Sequence, residues 1–162
     1  MASITKCADD AVVCGIIRAE MATDSPLTAE QVKQQVEYWL DLAEYDMETA
    51  RAMLISRRFL YVAFMCHQAI EKALKGVYAV RCQAIPPKMH ALVKLAQLSG
   101  MWEEMTEDQQ DWMIAVQPMN IESRYPAEKA KLLASLTVAE CERMIVEAAE
   151  MMQWIKKKLS NA

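Results

Sequence analysis

Apolar residues recur through most of this chain at intervals of three and four positions, the spacing of one face of an α-helix. The clearest case is the set from Val32 to Leu54, which keeps that spacing for about seven turns. It begins just after Thr28, and Gln31 follows three residues later, which is the pattern of a capping box. The pattern predicts a first helix over about residues 28–56.

Four further segments have the same periodicity and predict four more helices. The predicted spans are about residues 59–82, 89–98, 106–117 and 137–159. Thr106 is followed three residues later by Gln109, and Thr137 by Glu140, so capping boxes are predicted to open the last two helices. No segment shows the strict alternation of apolar and polar residues that is typical of a half-buried strand.

Prolines and a glycine mark where the predicted helices end. Pro86 and Pro87 stop the second helix, and Pro118 stops the fourth, because proline cannot continue a helix. Gly100 follows the third helix, at the position where glycine most often ends one. Residues 120–126 are predicted to form a structured loop.

These elements predict an all-α fold, an up-and-down antiparallel helical bundle of about five helices, three long and two short. Composition agrees, since 54% of the 162 residues are hydrophobic and there are only 3 Gly and 5 Pro, whereas all-β domains use many turns. The bundle is assigned to residues 28–160. Residues 1–27 fit no clean helix and are assigned as an N-terminal extension, either an arm or a short docked helix.

Charge and cysteine content narrow the class of protein. The formal net charge of −4 weighs against broad electrostatic binding to nucleic acid, which requires a basic surface. Five cysteines without a Cys-x-x-Cys pair indicate reduced thiols in a cytoplasmic protein. No apolar run approaches the roughly 20 residues of a membrane span, so no membrane association is expected.

Polar residues interrupt the apolar pattern of the second predicted helix. His67, Glu71 and Lys75 recur at four-residue spacing and form one stripe, with Gln68 and Lys72 beside it. One interpretation is a solvated face with weak Glu–Lys pairs. The other is a polar seam that faces a partner subunit or a ligand.

Two positions outside that helix are candidates for chemistry. His90, at the predicted start of the third helix, either packs or caps there, or lines a cleft. Arg124 precedes Tyr125 in the predicted loop, and arginine suits the recognition of phosphate or carboxylate. With only two histidines and no His-Glu-x-x-His motif, neither a metal site nor a cofactor is predicted.

Together these residues resemble the HEPN domain (higher eukaryotes and prokaryotes nucleotide-binding). The motifs that carry the resemblance are Trp39-x3-Ala43-x2-Asp46, His67-Gln68-Ala69-x-Glu71-Lys72-x-Leu74-Lys75, Pro86-Pro87-x2-His90 and Arg124-Tyr125-Pro126. They cover roughly residues 37–126. The resemblance implies an all-α bundle that commonly forms a homodimer and often works with a minimal nucleotidyltransferase as a toxin–antitoxin-like pair.

Other members of the family are metal-independent RNases, which carry an arginine, four to six intervening residues, and then a polar residue and usually a histidine. This chain departs from that pattern before both of its histidines. The positions that would supply the arginine are Leu60, Tyr61 and Val62 for His67, and Gln83, Ala84 and Ile85 for His90. The usual catalytic motif is therefore missing.

The resemblance leads to three hypotheses about function. The first is a module without enzymatic activity that binds a nucleotide, RNA or a nucleotidyltransferase partner, with Lys72, Lys75, His90 and Arg124 as candidates for binding phosphate. The second is an RNase with an atypical site, in which His90 and Arg124 would be catalytic. The third is a purely structural dimerisation module. A network that fixes the helix register is expected to contain Asp46, Glu71, Lys72 and Tyr125, because unpaired buried charge is costly.

Overall fold

The computed structural model describes residues 26–122, 130 and 134–161, and its helices surround one central helix. The long helices are α1 (Ala29–Ile55), α2 (Phe59–Cys82) and α6 (Val138–Ser160). Between α2 and α6 lie α3 (Leu92–Leu98), a 3-10 helix (Trp102–Glu104), α4 (Glu107–Val116) and the single turn α5 (Met119–Glu122). The described residues contain no strand, and the predicted all-α bundle is confirmed. Its three long helices and the two short helices α3 and α4 were predicted, whereas the 3-10 helix and the single turn α5 were not.

Side-chain caps define the starts of α1, α4 and α6. Thr28 and Thr106 each form the complete capping box, in which side chain and backbone exchange hydrogen bonds with the glutamine three residues later. Thr137 forms only half of one: its hydroxyl accepts from the Glu140 amide at 3.2 Å. The Glu140 carboxylate binds Arg143 instead of returning to the cap, so the third predicted box is wrong in this respect.

Two predicted boundaries differ from the structure. The third helix was expected from about residue 89 but begins at Leu92, so His90 lies in the preceding loop. The Met89 amide donates to the Pro87 carbonyl at 2.9 Å, and this tight turn keeps the backbone after the prolines out of a helix. Residues 120–122, predicted as loop, belong to α5 (Met119–Glu122). The rest of that predicted loop lies outside the described residues, as do residues 1–25.

Helix α2 forms the centre of the bundle, and α1, α3, α5 and α6 all contact it. At the buried Gly76, both α1 and α6 lie against α2. A Cβ atom placed there would lie 3.8 Å from Trp39 Cβ of α1 and 4.0 Å from Leu159 Cδ1 of α6. These are ordinary van der Waals distances, so the three helices leave room for one methyl group and little more.

Gly76→Ala is therefore expected to raise the free energy of unfolding by about 0.5–1 kcal/mol, because alanine favours a helix and restricts the unfolded chain. Gly76→Val is the matched control. Its additional methyl groups would overpack the same space and cost about 1–3 kcal/mol. Urea unfolding of both variants checks this, and a loss of stability in the alanine variant would show that the helices are packed more tightly than the distances indicate.

At one end of the bundle, a single carboxylate forms ion pairs with two different long helices. Glu104 of the 3-10 helix lies 2.7 Å from Arg81 Nη2 of α2 and 2.6 Å from Lys158 Nζ of α6. Burial alone would raise the pKa of Glu104, but the hydrogen bonds from Lys158 and Arg81 outweigh it and hold that pKa below the ordinary glutamate value. The contact connects the middle of the chain to both long helices.

The lowered pKa of Glu104 gives this ion-pair site a definite pH dependence. A carboxyl group whose pKa is lower in the folded state stabilises the fold fully above its unfolded pKa. That stabilisation is expected to be lost as the pH falls below the ordinary value of 4.5 and through the folded pKa. Glu104→Gln should be less stable at neutral pH and show a shallower acid loss in urea unfolding from pH 7 to 3; parallel curves for both proteins would contradict this.

The described cysteines are buried in the protein interior, where a thiol has low reactivity. Cys66, Cys82 and Cys141 are buried thiols that form no disulfide with one another. Burial raises the pKa of Cys66 to about 12, which leaves almost no thiolate at neutral pH. Cys7 and Cys14 lie outside the described residues. No described helix has both the length and the apolar content needed to cross a membrane.

Candidate functional site

The buried carboxylate of Glu71 is the centre of a polar cluster at the middle of α2. Lys75, one turn further along, places its Nζ 2.8 Å from Glu71 Oε1. His90, from the loop before α3, places its Nδ1 3.1 Å from both carboxylate oxygens. On the other side, His67 Nδ1 lies 3.9 Å from Glu71 Oε2. We refer to Glu71, Lys75 and His90 as the Glu71 cluster.

The interpretation of this stripe as a solvated helix face is wrong. The exposed fractions are 0% for His67, 2% for Glu71 and 7% for Lys75. The stripe is buried because helices pack against α2 on several sides at once. In that setting a carboxylate and an ammonium must be paired, since isolated buried charge is strongly unfavourable.

Lys75 is held between a carboxylate and an aromatic ring. Besides its contact with Glu71, its Nζ lies 5.0 Å from the centre of the Trp39 ring on α1. The ring face is electron-rich and attracts the cation. Trp39 is itself fixed by a 3.1 Å hydrogen bond from Nε1 to Gln35 Oε1. The positive charge of Lys75 is thus compensated inside the protein.

His90 differs from the other members because it reaches the surface, with 57% of its side chain exposed. Its backbone is fixed by neighbours, since Met89 packs against the core and Leu92 is fully buried. A carboxylate only accepts hydrogen bonds, so contact with Glu71 favours a proton on Nδ1. The other ring nitrogen, Nε2, then faces away from Glu71. The imidazole is held in one orientation, and Nε2 is its atom that can contact a ligand.

A second ion pair lies beside the cluster and joins α1 to α2. Lys72 Nζ contacts Asp46 Oδ2, and both side chains are largely buried. Burial raises the pKa of Asp46 above its ordinary value, although the hydrogen bond from Lys72 opposes that shift. Gln68 lies between the cluster and α5, with Nε2 3.5 Å from both Glu71 Oε2 and Asn120 Oδ1.

The structure brings together most of the residues that the sequence singled out. Asp46 meets Lys72, and Glu71 meets Lys75 and His90, so each lysine is paired with a carboxylate. Of the candidates for binding phosphate, only His90 is well exposed among the described residues. Arg124 and Tyr125 lie outside the described residues.

Sequence reasoning missed two contacts of this site. It did not place His90 on Glu71, a contact between residues nineteen positions apart. The available signal was that a buried Glu71 would need a cation from another element. It also missed Trp39 beside Lys75, which depends on the rotation of α1 relative to α2. Among the described residues, no three His, Cys, Asp or Glu side chains are grouped so that they could hold a metal ion.

Comparisons with known proteins agree with this architecture. The family model of the HEPN domain matches residues 36–159. TT1696 from Thermus thermophilus is similar in structure, with a TM-score of 0.64 and 23% identity over 76% of this chain and 98% of that one. ST0689, an archaeal HEPN homologue, has a TM-score of 0.57 and 24% identity over 76% and 96%. At such identities the two structures support the fold alone. No curated protein matches the sequence.

Proposed function

The chain belongs to the HEPN domain family, and on that premise we propose that it is a helical module that binds a nucleotide and a minimal nucleotidyltransferase. It acts as a homodimer in a toxin–antitoxin-like pair and has no catalytic role of its own. The observation that carries this proposal is the exposed imidazole of His90, which the buried carboxylate of Glu71 holds in one orientation.

The charges of the cluster support binding of a phosphate group. Glu71 and Lys75 together carry no net charge, so a protonated His90 makes the Glu71 cluster positive by one unit. In that state Nε2 is a hydrogen-bond donor that faces solvent, which suits a phosphate oxygen. The oriented ring loses little side-chain entropy on binding, because its contacts already fix it.

Nucleotide binding is tested by titrating the protein with AMP, ATP or inorganic phosphate in a calorimeter at mildly acidic pH. We expect saturable binding, with the dissociation constant raised at least about tenfold in His90→Gln, since a charge-assisted hydrogen bond is lost. Lys94→Gln, an exposed change on α3, is the matched control and should leave affinity within about twofold of the original. If none of the three ligands binds or raises the melting temperature, the nucleotide hypothesis fails and the purely structural module is favoured.

The nucleotidyltransferase partner requires its own test. Co-expression of the chain with a minimal nucleotidyltransferase encoded beside it should give a complex that elutes as one species. The same experiment with His90→Gln separates the two parts of the proposal, because loss of nucleotide affinity need not disrupt the protein complex. Two separate elution peaks at micromolar concentration would exclude this class of partner.

One observation favours a metal-independent RNase as the second candidate function. A carboxylate that orients an imidazole through Nδ1 leaves Nε2 as a potential general base. RNA incubated with the pure protein and a chelator would then be cleaved, and His90→Ala or Arg124→Ala would abolish cleavage. RNA that remains intact under these conditions rules out this candidate.

A further inference from the structure

One face of α1 carries large apolar side chains that remain exposed. Tyr38, Tyr45 and Ile55 are 56%, 67% and 85% exposed, although the opposite face of the same helix packs on α2. Three such groups on one face of a single helix make that face a candidate surface for contact with another molecule.

These residues belong to a regular row with the spacing of a coiled-coil seam. The exposed positions Tyr38, Asp41, Tyr45, Glu48, Ala52 and Ile55 succeed one another in alternating steps of three and four residues. Such steps define the a and d positions of a heptad repeat, which keep one straight stripe facing a partner helix. We call these six residues the α1 seam.

The α1 seam is complementary to itself when two copies run in opposite directions. In that arrangement a positions of one helix lie against d positions of the other. Tyr38 then faces Ile55 of the second copy, an apolar pair. Asp41 faces the small Ala52, which leaves room for its carboxylate. Tyr45 faces Glu48, and its phenol can donate a hydrogen bond to that carboxylate.

Charges on one flank of the α1 seam select this antiparallel direction. Glu37, Glu44 and Arg51 follow one another on α1 at seven-residue intervals, each just before an a position of the seam. In an antiparallel pair, Glu44 lies against Arg51 of the second copy, and the two-fold axis makes this pair twice. In a parallel pair this flank would lie against the opposite flank of the second copy, where Glu44 would meet the neutral Thr49 and form no ion pair.

The isolated chain leaves Arg51 available for a contact with a second copy. No carboxylate of the described residues forms an ion pair with Arg51, whereas Glu37 is already paired with Lys33 one turn earlier. Glu37 and Glu44 line a shallow depression of about 640 Å³ between α1 and α6. Glu44 already contacts Lys156 there, but its carboxylate is about half exposed and can accept a second cation.

We propose that the α1 seam binds the α1 seam of a second copy of this chain, antiparallel, about a two-fold axis that passes near Met47. This rests on the proposed function only in taking the partner as the second member of a homodimer; it adds the surface and the direction. The contact is isologous, so it closes at two copies.

The test is the mass of the full chain in solution, by sedimentation or light scattering across a concentration series. Tyr45→Glu is expected to raise the dimer dissociation constant at least about tenfold, because it places like charges against Glu48. Val146→Glu is the matched control, since Val146 is similarly exposed on α6 and lies outside the α1 seam. Arg51→Glu should weaken the dimer, and adding Glu44→Arg to it should restore the original affinity.

Each outcome has a distinct meaning. Rescue by the Arg51→Glu/Glu44→Arg pair, with a neutral control, supports the surface and the antiparallel direction. A dimer that tolerates both Tyr45→Glu and Arg51→Glu overturns the surface while the proposed homodimer stands. A chain that is monomeric at all concentrations overturns both. Circular dichroism of every variant ensures that a loss of dimer is not a loss of fold.

Discussion

Replacing Glu71 with alanine is expected to lower the free energy of unfolding by about 3–5 kcal/mol. Glu71 is almost fully buried, and its removal leaves Lys75 in the interior opposite an aromatic ring with no carboxylate. The loss measures the cost of an uncompensated charge, not the strength of the pair itself. Urea unfolding at neutral pH gives the value directly.

The double variant Glu71→Leu/Lys75→Met separates these two quantities. Replacing both partners with apolar groups of similar size removes the desolvation cost together with the attraction, and such replacements are often neutral. We expect most of the lost stability to return. Lys33→Ala is the exposed control, because it breaks another Lys–Glu pair one turn apart and should cost less than about 0.5 kcal/mol. A mild effect of Glu71→Ala would mean that water reaches Lys75.

Leu95→Ala is expected to cost about 2–5 kcal/mol, through a cavity in the core. Leu95 is fully buried, and it lies on α3, a seven-residue helix without a side-chain cap. A helix this short has little stability of its own, so its place depends on the side chains that it buries. The loop that carries His90 leads directly into α3. We therefore expect this loop to become more mobile in Leu95→Ala as well.

The matched control for Leu95→Ala is Lys94→Ala, an exposed change on the same helix, which should alter stability by less than about 0.5 kcal/mol. Hydrogen exchange provides the second readout. Amides of α3 should exchange faster in Leu95→Ala while those of α2 remain protected. Equal acceleration in both helices would show that α3 opens only when the whole bundle unfolds.

Most of the fold could be predicted from local patterns, since the ends of α1 and α2 depend on nearby residues. Thr28 caps α1 through Gln31, and the region before Pro86 cannot remain helical. The start of α3 was placed three residues too early because apolar spacing extends back across Met89. The structure uses Met89 to fill the core from a turn instead.

The site was less predictable because its contacts depend on how whole helices pack. At four-residue spacing, His67, Glu71 and Lys75 look the same whether that face meets water or protein. Only the surroundings of α2 decide, and they include elements far away in the sequence. The need of a buried Glu71 for a cation could be stated in advance, but the identity of that cation, His90, could not.

A backbone hydrogen bond has a consequence for the order in which the chain folds. The Leu27 amide donates to the Gln83 carbonyl at 2.8 Å and joins the start of α1 to the end of α2. A connection of three residues already joins their other ends. The hairpin is therefore closed at both ends by contacts within one continuous stretch of chain, whereas α6 must close a much longer loop. We expect Ala43→Gly in α1 to slow folding and Ile155→Val in α6 to act mainly on unfolding, as stopped-flow kinetics can determine.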